Sequence, residues 1–269
     1  MHSLLLLMFL VHTVWVTTAN VTNDCASNVK TIFILSGQSN MSGRGGVFNQ
    51  TNPTGMVNLT WDGDVPPECQ PNPSIVRLSA ELKWVEAKEP LHKDIDVNKT
   101  CGVGPGMSFA NTLLKRDQNI GVIGLVPCAI GGTNITQWAR GGCLYNEMIR
   151  RTKAALQSGG TIRGMLWYQG ESDTMDLEDA TLYKGRLKKF FKHVREDLQL
   201  PTLPIVQVAL ATAPGPYMEV VRKGQLGLKL PNLRCVDATG LPVGPDFLHL
   251  TTPAQVQLGL MLADAFVHT

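Results

Sequence analysis

Short runs of consecutive apolar, largely β-branched residues recur at 31–35, 120–126, 162–168, 204–210 and 233–236, and segments of helical periodicity lie between several of them. Continuous apolar runs suit strands buried on both faces. Their alternation with helices predicts a parallel sheet joined by crossover helices. The clearest helix is predicted over about 177–198, where Tyr183, Leu187, Phe190, Val194 and Leu198 recur at helical spacing. Most of its basic residues fall between these, so the charge run from Arg186 to Lys192 reads as a solvated face. A second helix is predicted over 144–156, stopped by Gly159-Gly160. The last helix is expected to begin at Thr252-Pro253-Ala254-Gln255, with Thr252 as cap, Pro253 in the first helical position and Gln255 closing a capping box. Val256, Leu260, Ala263 and Val267 would form its apolar stripe.

Residues 42–105 break the alternation. They are rich in Gly, Pro and Asn with only short apolar pieces at 74–78 and 82–85, and read as a long irregular insertion that shapes one side of a cleft. Residues 3–19 carry no charge, and their apolar part is short for a bilayer and ends at small residues. This predicts a secretory signal at 1–19, cut near Ala19, followed by a single domain over 20–269. No Lys or Arg opens the segment, which leaves an uncleaved N-terminal anchor as the alternative. No later stretch is long and apolar enough to cross a membrane, so no stable membrane insertion is expected after cleavage.

At 269 residues and 43% hydrophobic content the chain can bury a large core. A formal charge of +2, from 24 basic and 22 acidic residues without a long basic cluster, argues against a nucleic-acid partner. Six cysteines (Cys25, Cys69, Cys101, Cys128, Cys143 and Cys235) fit an oxidising compartment and suggest disulfides, although no pairing follows from spacing. Cys128 and Cys235 lie at strand-like runs, where each could be a buried thiol. No CxxC or histidine-rich spacing points to a metal, and no cofactor is expected. Glycosylation sequons occur at Asn20, Asn40, Asn49, Asn58, Asn98 and Asn134. Asn40 and Asn134 are expected to stay bare because both adjoin the chemistry described next.

Ser36-Gly37-Gln38-Ser39-Asn40-Met41-Ser42 follows the first strand directly, so Ser39 sits where a buried strand ends in a glycine turn. A serine hydroxyl becomes a nucleophile only when a base takes its proton, and that base needs an orienting group. Of six histidines, His2 and His12 fall in the signal, His193 lies among helix charges and His268 is next to the end. His92 and His249 remain. Only His249 has an acid on the same short loop, Asp246 of Asp246-Phe247-Leu248-His249. The serine is not in the G-x-S-x-G elbow of α/β-hydrolases, because Met41 stands where the second glycine would be.

Gly37-Gln38-Ser39-Asn40-Met41, Gly104-Pro105-Gly106-Met107, Gly131-Gly132-Thr133, Trp167-Tyr168-Gln169-Gly170-Glu171-Ser172 and Asp246-x-x-His249 together resemble the SGNH, or GDSL-like, hydrolase superfamily. Within it the pattern is most similar to the sialate O-acetylesterase-like group that includes carbohydrate esterase family 6 and plant members described as probable carbohydrate esterases. The resemblance implies an α/β fold, a three-layer α/β/α sandwich of about five parallel strands. It also implies Ser39 as nucleophile, His249 as base and Asp246 as its orienting acid. The oxyanion hole would be the Ser39 N–H, a glycine N–H after the second strand, taken as Gly132, and a side chain after the third. Where the superfamily has Asn, this chain has Gln169, whose amide can also donate; Glu171 cannot unless protonated. Gln38, Asn40, Trp138 and Glu171 are candidate substrate-binding residues, with loop-fixing the competing role for Glu171 and plain packing that for Trp138. Arg140 could line a sugar pocket or face solvent.

The resulting expectation is a secreted, cell-wall-directed serine esterase that removes acetyl groups from a carbohydrate such as xylan. Three alternatives remain: a lipase or thioesterase acting on longer acyl chains, a non-catalytic carbohydrate-binding protein of the same fold, and, more remotely, a glycosidase using Glu171 and Asp246.

Overall fold

The computed structural model describes residues 30–269; the predicted signal, Asn20 and Cys25 lie outside the described residues. In chain order the strands are β1 (Lys30–Gly37), β2 (Val47–Thr51), β3 (Val57–Trp61), β4 (Ile75–Leu78), β5 (Trp84–Glu86), β6 (Val122–Pro127), β7 (Thr161–Tyr168), β8 (Ile205–Ala209) and β9 (Leu233–Asp237). The helices are α1 (Ser39–Ser42), α2 (Gly106–Arg116), α3 (Cys143–Leu156), α4 (Leu177–Asp197), α5 (Met218–Leu226) and α6 (Thr252–Val267). Seven strands form one sheet in the order β5-β4-β6-β1-β7-β8-β9, parallel throughout except for β5, which runs antiparallel to β4.

The central position of β1 follows from its composition. Ile32, Phe33, Ile34 and Leu35 are all fully buried, which only a strand covered on both faces allows. Phe33 points to one face and meets Phe109 of α2 and Phe266 of α6 edge-on, with ring centroids 5.0 and 4.9 Å away. On the other face Ser36 reaches Met148 of α3, and Trp167 of β7 packs on Phe190 and Phe191 of α4. Helices α2 and α6 therefore form one layer and α3 and α4 the opposite one, the expected α/β/α sandwich. Arg151 of α3 clasps its layer to the sheet, donating to the carbonyls of Leu78 (2.7 Å), Ser79 (3.0 Å) and Pro127 (2.9 Å) at the carboxyl ends of β4 and β6.

Three expectations are corrected. The sheet has two more strands than the five read from sequence, because the 42–105 insertion supplies β4 and β5 along with the β2–β3 hairpin. Strands of four and three residues are too short for their periodicity to stand out. Helix α6 is capped one residue earlier than expected, by Thr251, whose hydroxyl accepts from Ala254 N. Its buried face is Ala254, Leu258, Leu262 and Ala263, while Val267 is exposed. The helix is apolar nearly all round, so sequence alone offered no unique stripe. Finally, Cys69, Cys101, Cys128, Cys143 and Cys235 are free thiols, and there is no disulfide among the described residues. Cys128 at the end of β6 and Cys235 in β9 have three strands between them, four spacings of ~4.8 Å or roughly 19 Å, far beyond bridging distance. No described helix is long and apolar enough to cross a membrane.

The end of β1 is the tightest point of the sheet. Gly37 adopts φ +135°, and a Cβ there would lie 2.0 Å from the Tyr168 carbonyl oxygen, which instead accepts the Gln38 N–H at 2.8 Å. Gly132 also has positive φ, +75°, but a Cβ there would meet nothing within 4 Å. We expect Gly37→Ala to lower stability by about 3 kcal/mol or more, from backbone strain plus a clash with main chain, and Gly132→Ala by about 1 kcal/mol. Urea denaturation followed by circular dichroism measures both.

Candidate active site

Ser39 opens α1 at the carboxyl edge of the sheet, where ligands bind in open α/β folds. Its side chain is 5% exposed. Its Oγ lies 2.9 Å from His249 Nε2, and His249 Nδ1 lies 2.6 Å from Asp246 Oδ2. Thus the three residues singled out by their motifs meet across 210 positions of chain. Asp246 is half-exposed, and its orientation comes from the main chain: Oδ1 accepts the N–H groups of Leu248 and His249, both at 3.0 Å. Burial would raise the Asp246 carboxyl, but these donors and the His249 ring hold it below its usual range. Burial lowers the His249 imidazole, opposed by Asp246, so its Nε2 is free to accept a proton near neutrality. His92, the other candidate base, is a buried core residue whose imidazole burial pushes down to about 3.

Neither the Ser39 N–H nor the Gly132 N–H has a protein acceptor among the described residues. Around Gly132 the loop is tied down on both sides. Gly131 N donates to Asp96 Oδ2 at 3.1 Å, and the Thr133 hydroxyl donates to Ile130 O and accepts from Trp138 Nε1. Ile130 N in turn donates to Gly37 O at 3.0 Å, which sets this loop beside the serine turn. The arrangement leaves the Gly132 N–H free in a loop that is tied on both sides.

Gln169 was expected as the third oxyanion donor, and its geometry gives it a different task. It is fully buried, and its amide nitrogen donates to Thr133 O at 2.9 Å and Asp173 Oδ2 at 2.5 Å. Both N–H bonds are taken, so Gln169 orients the Gly132 loop from beneath. The four residues expected to bind substrate are likewise all buried. Trp138 packs edge-on against both Trp167 and Phe190. Gln38, with its amide nitrogen turned toward acceptors, donates to Thr133 O (3.0 Å) and Glu171 Oε2 (3.2 Å). Glu171 Oε1 accepts from Asn40 Nδ2 at 2.9 Å, and burial raises its carboxyl to about 7. Asn40 also donates to Leu248 O (3.3 Å) and accepts from Leu250 N (3.0 Å), the residues flanking His249. Arg140 pairs with Glu196 and Asp197 at the surface.

Sequence reading missed Asp96 and Arg44, which lie in the insertion. One Asp96 oxygen accepts from Ser42 Oγ (3.0 Å), Arg44 Nη2 (2.6 Å) and Gly131 N (3.1 Å), joining the serine helix to the glycine loop. Nothing in a Gly/Pro-rich stretch marked one aspartate above its neighbours. Asn40 is fully buried and leaves no room for a glycan, whereas Asn49, Asn58 and Asn98 are exposed.

The chain is similar to known proteins. Residues 29–268 match the family described as carbohydrate esterase, sialic acid-specific acetylesterase. The chain belongs to this family. It is therefore a carbohydrate esterase by family, a carboxylic ester hydrolase. A probable carbohydrate esterase of Arabidopsis thaliana is 57% identical over 237 residues, covering 88% of this chain and 90% of its own. A crystal structure of an Arabidopsis thaliana protein superposes with a TM-score of 0.85 at 56% identity, covering 90% and 99% of the two chains. NanS (TM-score 0.70, 18% identity, 90% and 98% covered) and a carbohydrate acetylesterase of Xanthomonas citri (0.62, 21%, 88% and 56%) share the fold.

Asn40 gives this esterase site its sharpest structural test. Asn40→Ala leaves Glu171 and Leu250 N buried without their partner, and we expect a loss of about 2–4 kcal/mol. Denaturant midpoints of the two proteins measure it.

Proposed function

We propose that this carbohydrate esterase removes O-acetyl groups from a cell-wall polysaccharide such as xylan, through an acetyl-enzyme on Ser39. The observation that carries the reading is the continuous hydrogen-bonded relay from Ser39 Oγ through His249 to Asp246, beside two unpaired N–H groups. Ser39 Oγ attacks the acetyl carbonyl while His249 Nε2 takes its proton. The resulting oxyanion is held by the Ser39 and Gly132 N–H groups. His249 then returns the proton to the departing sugar oxygen, leaving acetyl on Ser39 Oγ. Water, deprotonated by His249, attacks that ester, and acetate leaves as the proton returns to Ser39. Each oxyanion donor of this kind is typically worth ~10²- to 10³-fold in turnover. Secretion through the N-terminal apolar segment would bring the enzyme to such a substrate.

The test compares the mature protein with Ser39→Ala on p-nitrophenyl acetate, a C8 ester and acetylated xylan. We expect hydrolysis of acetate esters, with Ser39→Ala reduced by a factor on the order of 10³ or more. Hydrolysis no faster than by Ser39→Ala would sink the reading, and preference for the C8 ester would transfer it to longer acyl chains.

The pH profile follows from the base. Only neutral His249 accepts a proton, so activity is retained above its pKa and lost as pH falls through it. Because burial lowers that pKa, the acid limb of kcat/KM should fall below the ordinary histidine value of about 6.5. An acid limb above that value contradicts the assignment of His249.

A further inference from the structure

Phe247 stands between Asp246 and His249, with φ +56° and 78% of its surface exposed. A left-handed backbone is required there. Asp246 Oδ1 gathers the next two N–H groups, Phe247 N donates to Gly244 O at 3.0 Å, and Gly244 N donates to His249 O at 2.7 Å, so the loop must reverse at position 247. Gly or Asn meets that requirement readily, and a bulky aromatic does so at a cost in strain. The ring recovers none of that cost by packing in the core. Strain of this kind persists where a functional demand selects the residue.

The main chain that carries the ring is also held in place. Phe247 O accepts the Thr212 hydroxyl at 3.1 Å, which ties the loop to the segment following β8. That segment, Ala-Thr-Ala-Pro-Gly-Pro-Tyr at 211–217, carries no charge. It is pinned in turn to Thr174 through Gly215 N (3.0 Å) and Tyr217 N (3.1 Å), beside exposed Met175. The segment after β8 is thus an uncharged shoulder tied to the loop on which Phe247 lies two residues before His249. An open aromatic face suits the flat C–H face of a pyranose ring; a long acyl chain would need an enclosed channel.

We propose that Phe247 is the platform on which the sugar ring bearing the acetyl group stacks, so that it sets the preference for polysaccharide esters over small acetates. The inference rests on the acetylesterase reading above and names the contact through which that site holds its substrate. Phe247→Asn removes the ring while suiting the left-handed backbone, and Phe247→Trp keeps an aromatic face. The measured quantity is the ratio of kcat/KM on acetylated xylan to that on ethyl acetate. We expect Phe247→Asn to lower this ratio about tenfold, through KM on xylan, and Phe247→Trp to preserve it. An unchanged ratio in Phe247→Asn overturns the proposal, as does an equal loss on both esters, which would make the ring a support for the loop.

A second measurement separates this inference from the esterase reading. Ser39→Ala should be retarded in a gel containing acetylated xylan, and Ser39→Ala/Phe247→Asn should run freely. Retardation that depends on Phe247, together with no hydrolysis by the unsubstituted protein, would uphold the platform and discard the esterase. Hydrolysis with retardation independent of Phe247 would do the reverse.

Discussion

The site depends on one constraint, that the His249 imidazole, carried by the loop before α6, must stay within hydrogen-bond reach of a hydroxyl at the end of the first strand. Asn40 enforces it. This buried side chain bonds Glu171 on one side and the main chain on both sides of His249 on the other, while Gln255 of α6 donates to the Asn40 carbonyl at 3.1 Å. An amide is well suited to the task, having two donors and an acceptor that can satisfy three partners at once without burying a charge. The Gly37 turn then sets the direction of approach, since the main chain passes Tyr168 too closely for any side chain there.

A second level of support holds the glycine loop. Asp96, Gln169, Gln38 and Trp138 all bond to the residues around Gly132, and none reaches the open cleft. Their number reflects what a fixed donor requires. A backbone N–H that stabilises developing charge is useful only if it does not have to move, and a glycine supplies no side chain with which to anchor itself. Burial near Glu171 and Asp173 raises those carboxyls to about 7 and 6, so this shell carries less negative charge than its composition suggests.

The fold was legible wherever an apolar run was long enough to state its period. The five principal strands, α3 and α4 were read close to their true bounds, whereas β4 and β5 were hidden in a Gly/Pro-rich stretch. Ser39, Asp246 and His249 were legible because each sits in a short motif with a chemical logic of its own. The surrounding polar residues were not. Gln38, Asn40, Gln169 and Glu171 share those motifs, and their residue types fit substrate contact as well as internal bonding. Only burial separates the two roles, and burial is a property of the assembled layers.

The separation of Ser39 from His249 by 210 positions also has a temporal meaning. Local elements such as α4 can form early, but this pairing closes a loop of 210 positions, and so non-local a contact forms late. Until residues 246–249 dock, the Ser39 hydroxyl has no imidazole beside it. The relay is thus a property of the folded chain, present in neither of the distant segments alone.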